Sequence, residues 1–137
     1  GATLAAAPFP VAYNGDVFDT AGRDELLAAF PATRHVMLGR GLLANPALAR
    51  MMAGGPPATR GELERVHDAL FHAYEEVIGG NAVFRMKEWW FYAKCAFADP
   101  LAVHRAVRKV RRAGEYEDAV RTIFSGMGLA EEARFRG

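Results

Sequence analysis

At 137 residues, 51% of them hydrophobic, 24% charged and 11% aromatic, the chain has room for one domain or for one compact module plus part of another, and enough apolar material to bury a core. Its longest uncharged runs, residues 2–14 and 41–49, fall short of the roughly 20 apolar residues of a membrane span, and its one cysteine, Cys95, excludes an intramolecular disulfide framework and any multi-cysteine zinc site. The net charge of +1 conceals a segregation: from Arg85 to Arg112 eight Lys or Arg stand against Glu88 and Asp99, a local +6 that leaves −5 for the rest, an asymmetry that suits a polyanion-binding surface.

Two short apolar runs come first, residues 10–14 and 34–38, each followed by a glycine turn, Gly15-Asp16 and Gly39-Arg40-Gly41. Both read as buried strands. Between them Asp19 or Thr20 caps a helix carrying Leu26, Leu27 and Phe30 that stops at Pro31, so the order strand, helix, strand predicts a βαβ unit with parallel strands that need covering on both faces. A short helix containing Pro46 to Met52 follows and ends at Gly54-Gly-Pro-Pro57, the clearest boundary in the chain.

Beyond it everything reads helical. Thr59-x-x-Glu62 is a capping box that opens a helix to about Ile78, with Leu63, Val66, Leu70, Phe71, Tyr74 and Val77 at helical spacing. Gly79-Gly80 ends it. Asn81 caps a second helix to about Phe97, Asp99-Pro100 starts a third to Arg112, and a fourth spans Glu115 to Phe124. Short connections predict antiparallel neighbours, hence a small bundle.

Several residues could carry chemistry. The two glycine turns sit at the carboxyl ends of parallel strands, where α/β folds bind ligands, and Arg40 adds a positive fork; each triplet taken alone is also an ordinary turn. On the third tail helix Arg105, Arg108, Lys109 and Arg112 fall opposite Val103, Ala106, Val107 and Val110, either a phosphate-facing stripe or a solvated face. On the second, Val83, Met86, Trp90 and Phe97 share one face while Arg85, Trp89 and Tyr92 share the other. The latter face suits stacking on RNA, or belongs to a helix packed on two sides. Cys95 reads as a small core hydrophobe. His67 and His72, five apart, project too far from one another to share a metal, and Glu62, Glu64, Asp68, Glu75 and Glu76 read as a solvated face.

Tyr13-Asn-Gly-Asp16, about two dozen residues, and then Val36-Met-Leu-Gly-Arg-Gly-Leu-Leu-Ala-Asn-Pro46 resemble the last two strands of the flavin-dependent tRNA-dihydrouridine synthases. Phe84-Arg-Met-Lys-Glu-Trp89 resembles the Arg-x-Lys-x-Trp segment in the helical domain of that family's bacterial C-type subfamily. The resemblance covers the chain from about Pro10 to Phe124. It implies an α/β plus α architecture, mostly helical within this chain: residues 1–55 supply the last two βα units of a TIM barrel and residues 58–137 a helical tRNA-binding bundle.

It further implies an FMN-dependent oxidoreductase in which NADPH is the reductant and a tRNA uridine becomes dihydrouridine. Asn14, Gly15, Asp16, Gly39 and Arg40 would hold the FMN phosphate, and Arg85, Lys87, Trp89, Arg105, Arg108, Lys109 and Arg112 would meet tRNA, Lys87 by resemblance alone. The family's catalytic cysteine comes from an earlier barrel strand, so this chain is expected to contain no catalytic residue, and by itself to be inactive. The start at Gly1, with no initiator Met and no basic signal region, reads as part of something longer, in the cytoplasm and off the membrane. Alone, the strands would expose edges, and self-association through Val11, Tyr13, Val36 and Leu38 is expected. Two other readings stand beside this one: a free-standing helical module that binds nucleic acid or protein, and another FMN barrel, which should lack the basic tail.

Overall fold

The computed structural model describes residues 12–14, by backbone alone, 17–131 and 133–134. Two three-residue strands, β1 (Ala12–Asn14) and β2 (His35–Met37), pair in parallel with Ala12 opposite His35 and Asn14 opposite Met37. Helix α1 (Thr20–Ala29) joins them. Its amino end is capped by Asp19, whose carboxylate accepts from the Gly22 N–H at 2.7 Å, and it ends at Ala29, two residues before Pro31, which cannot continue it. The βαβ order therefore holds.

The burial expected of the second strand does not. His35 and Met37 are exposed and Val36 is half-buried, because among the described residues the sheet has two strands and no layer on both faces. Val11 lies outside the described residues.

Gly39-Arg40-Gly41 is also more than a turn. It forms the first half of a six-residue helix, α2 (Gly39–Ala44), and a second short helix, α3 (Leu48–Met52), follows. The reason is packing at Gly41: a Cβ there would meet the Val17 carbonyl oxygen at 2.5 Å and Leu48 Cδ2 at 2.9 Å. Only glycine lets α2 lie this close to the segment that follows β1. Gly41→Ala is expected to cost about 1–3 kcal/mol, the usual cost of overpacking, read as a lower urea midpoint; an unchanged midpoint would mean that the backbone yields there.

The long helix α4 (Arg60–Ile78) begins with both halves of its capping box, Glu62 N–H to Thr59 Oγ1 at 3.2 Å and Thr59 N–H to Glu62 Oε1 at 3.1 Å. It ends at Gly79, whose φ of 59° lies in the left-handed region that glycine tolerates. After a single 3₁₀ turn comes α5 (Ala82–Ala93). Asn81 occupies its cap position, but in helical conformation and without a capping hydrogen bond, since the 3₁₀ turn feeds directly into the helix. A second 3₁₀ turn carries the chain through Cys95, which is buried and free.

Helix α6 (Pro100–Val107) is capped by Asp99, which accepts from Ala102 N–H at 3.0 Å, and has Pro100 in its first turn. It stops five residues before the expected Arg112. The last helix, α7 (Ala113–Gly126), opens earlier than expected. The chain then returns, with Ala98 N–H to Gly128 O and Ala130 N–H to Ala96 O both at 2.9 Å.

The core belongs to the bundle: Leu63, Phe71, Val83, Met86, Trp90, Val103, Tyr116, Ile123 and Phe124 pack into one cluster. On α4 the inner row is Leu63, His67 and Phe71, whereas Val66 and Val77 face solvent. His67 is 2% exposed and the center of a polar network. Its Nε2 lies 2.7 Å from the Tyr116 hydroxyl and its Nδ1 2.8 Å from Asp68, while Trp90 Nε1 donates to the same hydroxyl at 2.9 Å. Indole can only donate, so every group is satisfied when Tyr116 donates to Nε2 and Nδ1–H donates to Asp68.

The Gly54–Pro57 boundary is bridged by Arg50. Its guanidinium meets both Glu62 oxygens, at 2.6 and 3.0 Å, and the carbonyls of Pro56 and Pro57, each at 3.0 Å. The hydrogen bonds from Arg50 foremost, and the Thr59 N–H second, hold the Glu62 carboxyl down at about 2 against an ordinary 4.5. A depressed carboxylate favors the folded chain fully above about 4.5, and that support is lost as the pH falls through about 2.

Candidate nucleic-acid interface and strand-end turns

The phosphate-site residues of the sequence fall on two strand ends. Because β1 and β2 run parallel and in register, Asn14 and Met37 are side by side, so the two strands finish at the same end of the sheet. Gly15 and Asp16 lie outside the described residues. Gly39 and Arg40 open α2; a Cβ at Gly39 would meet nothing within 4 Å, so the approach to the backbone there is open. The Arg40 guanidinium is exposed and sits 6.0 Å from the Phe18 ring centroid.

The basic residues of the tail gather at a corner instead of along one stripe. Arg105 is in the last turn of α6, Arg108 caps its carboxyl end, Lys109 and Arg111 are in the connection, and Arg112 is the residue before α7. All five are exposed, and among the described residues none has an acidic partner within 4.0 Å. The apolar half of the expected wheel holds: Val103 and Val107 are buried, Ala106 and Val110 half-buried. The cationic half is divided because the helix ends at Val107, and the bend turns the charges around the α6–α7 corner.

Lys87 reaches this corner from α5. Its ammonium donates to the Arg108 carbonyl at 3.1 Å, terminating α6 as a cation near a helix carboxyl end does. Lys87 thus stands apart from Arg85, as their spacing on the helix required. Arg85 is exposed and paired with Glu88 at 3.3 Å.

Trp89 corrects the expectation of an exposed stacking ring. It is 7% exposed, packed edge-to-face on Trp90 at 4.8 Å between centroids and 5.7 Å from the His67 ring. The helix is packed on two sides, with α4 covering the Trp89 face. Trp89→Ala would therefore remove core and not a nucleobase platform.

Two shallow hollows flank α5. One, of about 230 Å³, is lined by Leu43, Leu70, Tyr74, Trp89 and Tyr92 with the Arg85–Glu88 pair at its rim. The other, of about 220 Å³, lies between α5 and α6 and is lined by Lys87, Trp90, Phe91, His104, Val107 and Arg108. Phe91 and His104 were not among the sequence candidates. The signal for Phe91 was there, since an aromatic one residue beyond Trp90 turns off the core face of α5; His104 lies one turn back from Arg108, toward the basic corner, rather than at the opposite side of α6.

His67 and His72 are on different sides of α4, one buried and one exposed. Of the acidic residues on that helix, Glu64, Asp68, Glu75 and Glu76 are exposed, and Glu62 is drawn into the Arg50 clamp.

No protein-family model matches the chain, and no curated protein matches it.

Proposed function

We propose that this chain is the carboxyl-terminal portion of a tRNA-dihydrouridine synthase, with residues 1–55 ending an FMN-binding TIM barrel and residues 58–137 forming the tRNA-binding bundle. The observation that carries the reading is the parallel, in-register pairing of β1 with β2, whose carboxyl ends lie together at one end of the sheet, with Gly39 and Arg40 opening α2 just beyond β2. The exposed strand residues His35 and Met37 support it, since a two-stranded parallel sheet calls for further strands and a second covering layer.

The residues fit a phosphate. Gly39 leaves its backbone accessible, the first N–H groups of a helix have no acceptor within it, and Arg40 brings a permanent charge. Asn14, Gly15 and Asp16 would complete the site from β1. FMN would supply hydride chemistry, with NADPH as its reductant; the chain's own part is to bind and orient the phosphate and to hold RNA on the basic corner.

The test is the protein expressed with the coding sequence that precedes Gly1. It is expected to purify yellow with bound flavin and to reduce uridine in tRNA. A colorless protein that takes up no FMN yet binds RNA would overturn the reading in favor of a free-standing interaction module. In the flavin-loaded protein Arg40→Ala is expected to weaken FMN binding by about 1.5–3 kcal/mol, the scale of a charge-assisted hydrogen bond, seen by flavin fluorescence on titration; parental affinity would remove Arg40 from the site.

A further inference from the structure

We infer that the hollow between α5 and α6 is a subsite for one unstacked RNA nucleotide, its base against Phe91 and His104 and its phosphate at Lys87 and Arg108. The inference deepens the RNA-binding part of the proposed function and rests on that part alone, not on flavin.

Composition separates this hollow from its neighbor. The hollow beside Trp89 has its one cation, Arg85, matched by Glu88 at 3.3 Å, so it offers an anion little net attraction. The hollow between α5 and α6 has two cations at its rim and no carboxylate in its lining. Lys87 spends one of its three donors on the Arg108 carbonyl, which fixes the ammonium in place and leaves two N–H groups for a phosphate.

The walls are aromatic and apolar. Phe91 is 46% exposed, set edge-to-face against Tyr92 at 5.1 Å with the Lys94 ammonium 4.7 Å from its ring centroid. Trp90 and Val107 close the hollow from the core side, and His104 is exposed. Flat rings beside cations are the chemistry by which single-stranded nucleic acid is held, the ring stacking on a base and the cation on its phosphate. A duplex cannot use such a hollow, because its bases are already stacked; it would meet only the exposed cations of the corner, Arg105, Arg108, Lys109, Arg111 and Arg112.

The test measures binding of two probes to the 137-residue chain, a short single-stranded oligouridylate and a blunt RNA duplex, with Phe91→Ala and His104→Ala as variants. Both side chains are exposed enough for truncation to leave the fold intact, which circular dichroism would verify. Each variant is expected to bind oligouridylate roughly 5- to 100-fold more weakly, the scale of one lost base stack, with duplex affinity and the salt slope for both probes unchanged. Parental oligouridylate affinity in both variants would overturn the subsite, as would an equal loss for duplex. An acidic peptide that displaces oligouridylate from the parent and binds as tightly would overturn the assignment to a nucleotide. Because no flavin enters the measurement, failure here leaves the cofactor reading standing, and a colorless full-length protein leaves this subsite standing.

Discussion

Tyr116→Phe should cost about 2–6 kcal/mol of folding stability, more than the loss of one hydroxyl usually does. The ring would remain, still 4.9 Å from Phe71 between centroids, so packing is preserved and the effect belongs to the hydroxyl. That hydroxyl serves two buried groups at once, His67 Nε2 and the Trp90 N–H. Removing it leaves both without a partner, each at about 1–3 kcal/mol. Urea unfolding monitored by tryptophan fluorescence measures this directly, and a loss below about 1 kcal/mol would mean that the network contributes nothing beyond its rings.

The same network sets a pH dependence. Burial holds the His67 imidazole below its ordinary 6.5, against the opposing pull of Asp68 and Glu64. As the pH falls the unfolded chain therefore takes up the proton first, so the support is complete above about 6.5 and is lost progressively below it. Unfolding free energy should fall between pH 7 and pH 5, and His67→Gln, less stable throughout, should lose that part of the slope. Burial raises the Tyr116 hydroxyl as well, which places its own contribution at risk only in strong alkali.

Removing Arg105, Arg108, Lys109 and Arg112 together should reduce the log–log salt slope of RNA binding by about three to four units, with each neutralized phosphate contributing near 0.9 on duplex RNA-like contacts. The corner geometry gives this its force: the four exposed side chains, with Arg111 beside them, have no acidic partner among the described residues, so the charge is available to phosphates. All are exposed, and stability should change little. Filter binding at several salt concentrations gives the slope; parental slope and affinity would reduce the corner to a solvated surface.

Local signals were legible wherever one residue decided the structure. Thr59 and Glu62 specified the start of α4 and Asp99 with Pro100 that of α6, because capping needs only a side chain and a nearby N–H. What escaped depends on neighbors distant in sequence. Periodicity placed Val66 and Val77 in the core and left His67 out, since it recognizes apolar side chains and cannot see a hydroxyl 49 residues away. The face that Trp89 shares with Arg85 and Tyr92 left two readings, a stacking surface or a second packed side, and only the docking of α4 decides for the second. The cations of α6 are exposed as expected, but the helix carrying them stops at Val107, where Lys87 of another element meets the Arg108 carbonyl, and no pattern within residues 99–112 records that contact. The pairing of the strands was legible from their order, whereas the exposure of β2 was not, for it reports what packs against that strand.

The grip of Arg50 on Glu62, Pro56 and Pro57 has a bearing on how this chain could be taken apart. Composition invites a cut at Gly54–Pro57, where glycine and proline announce a seam. A splice made there would carry Arg50 away with one piece and its acceptors with the other, stranding a guanidinium on the first and stripping the amino end of α4 of its outer tie. Salt would loosen the carboxylate half of that grip, whereas the two neutral carbonyls would keep theirs. Grafting the bundle onto a foreign partner would thus succeed best with α3 included, so that the transplanted unit begins before Leu48 and brings its own fastening.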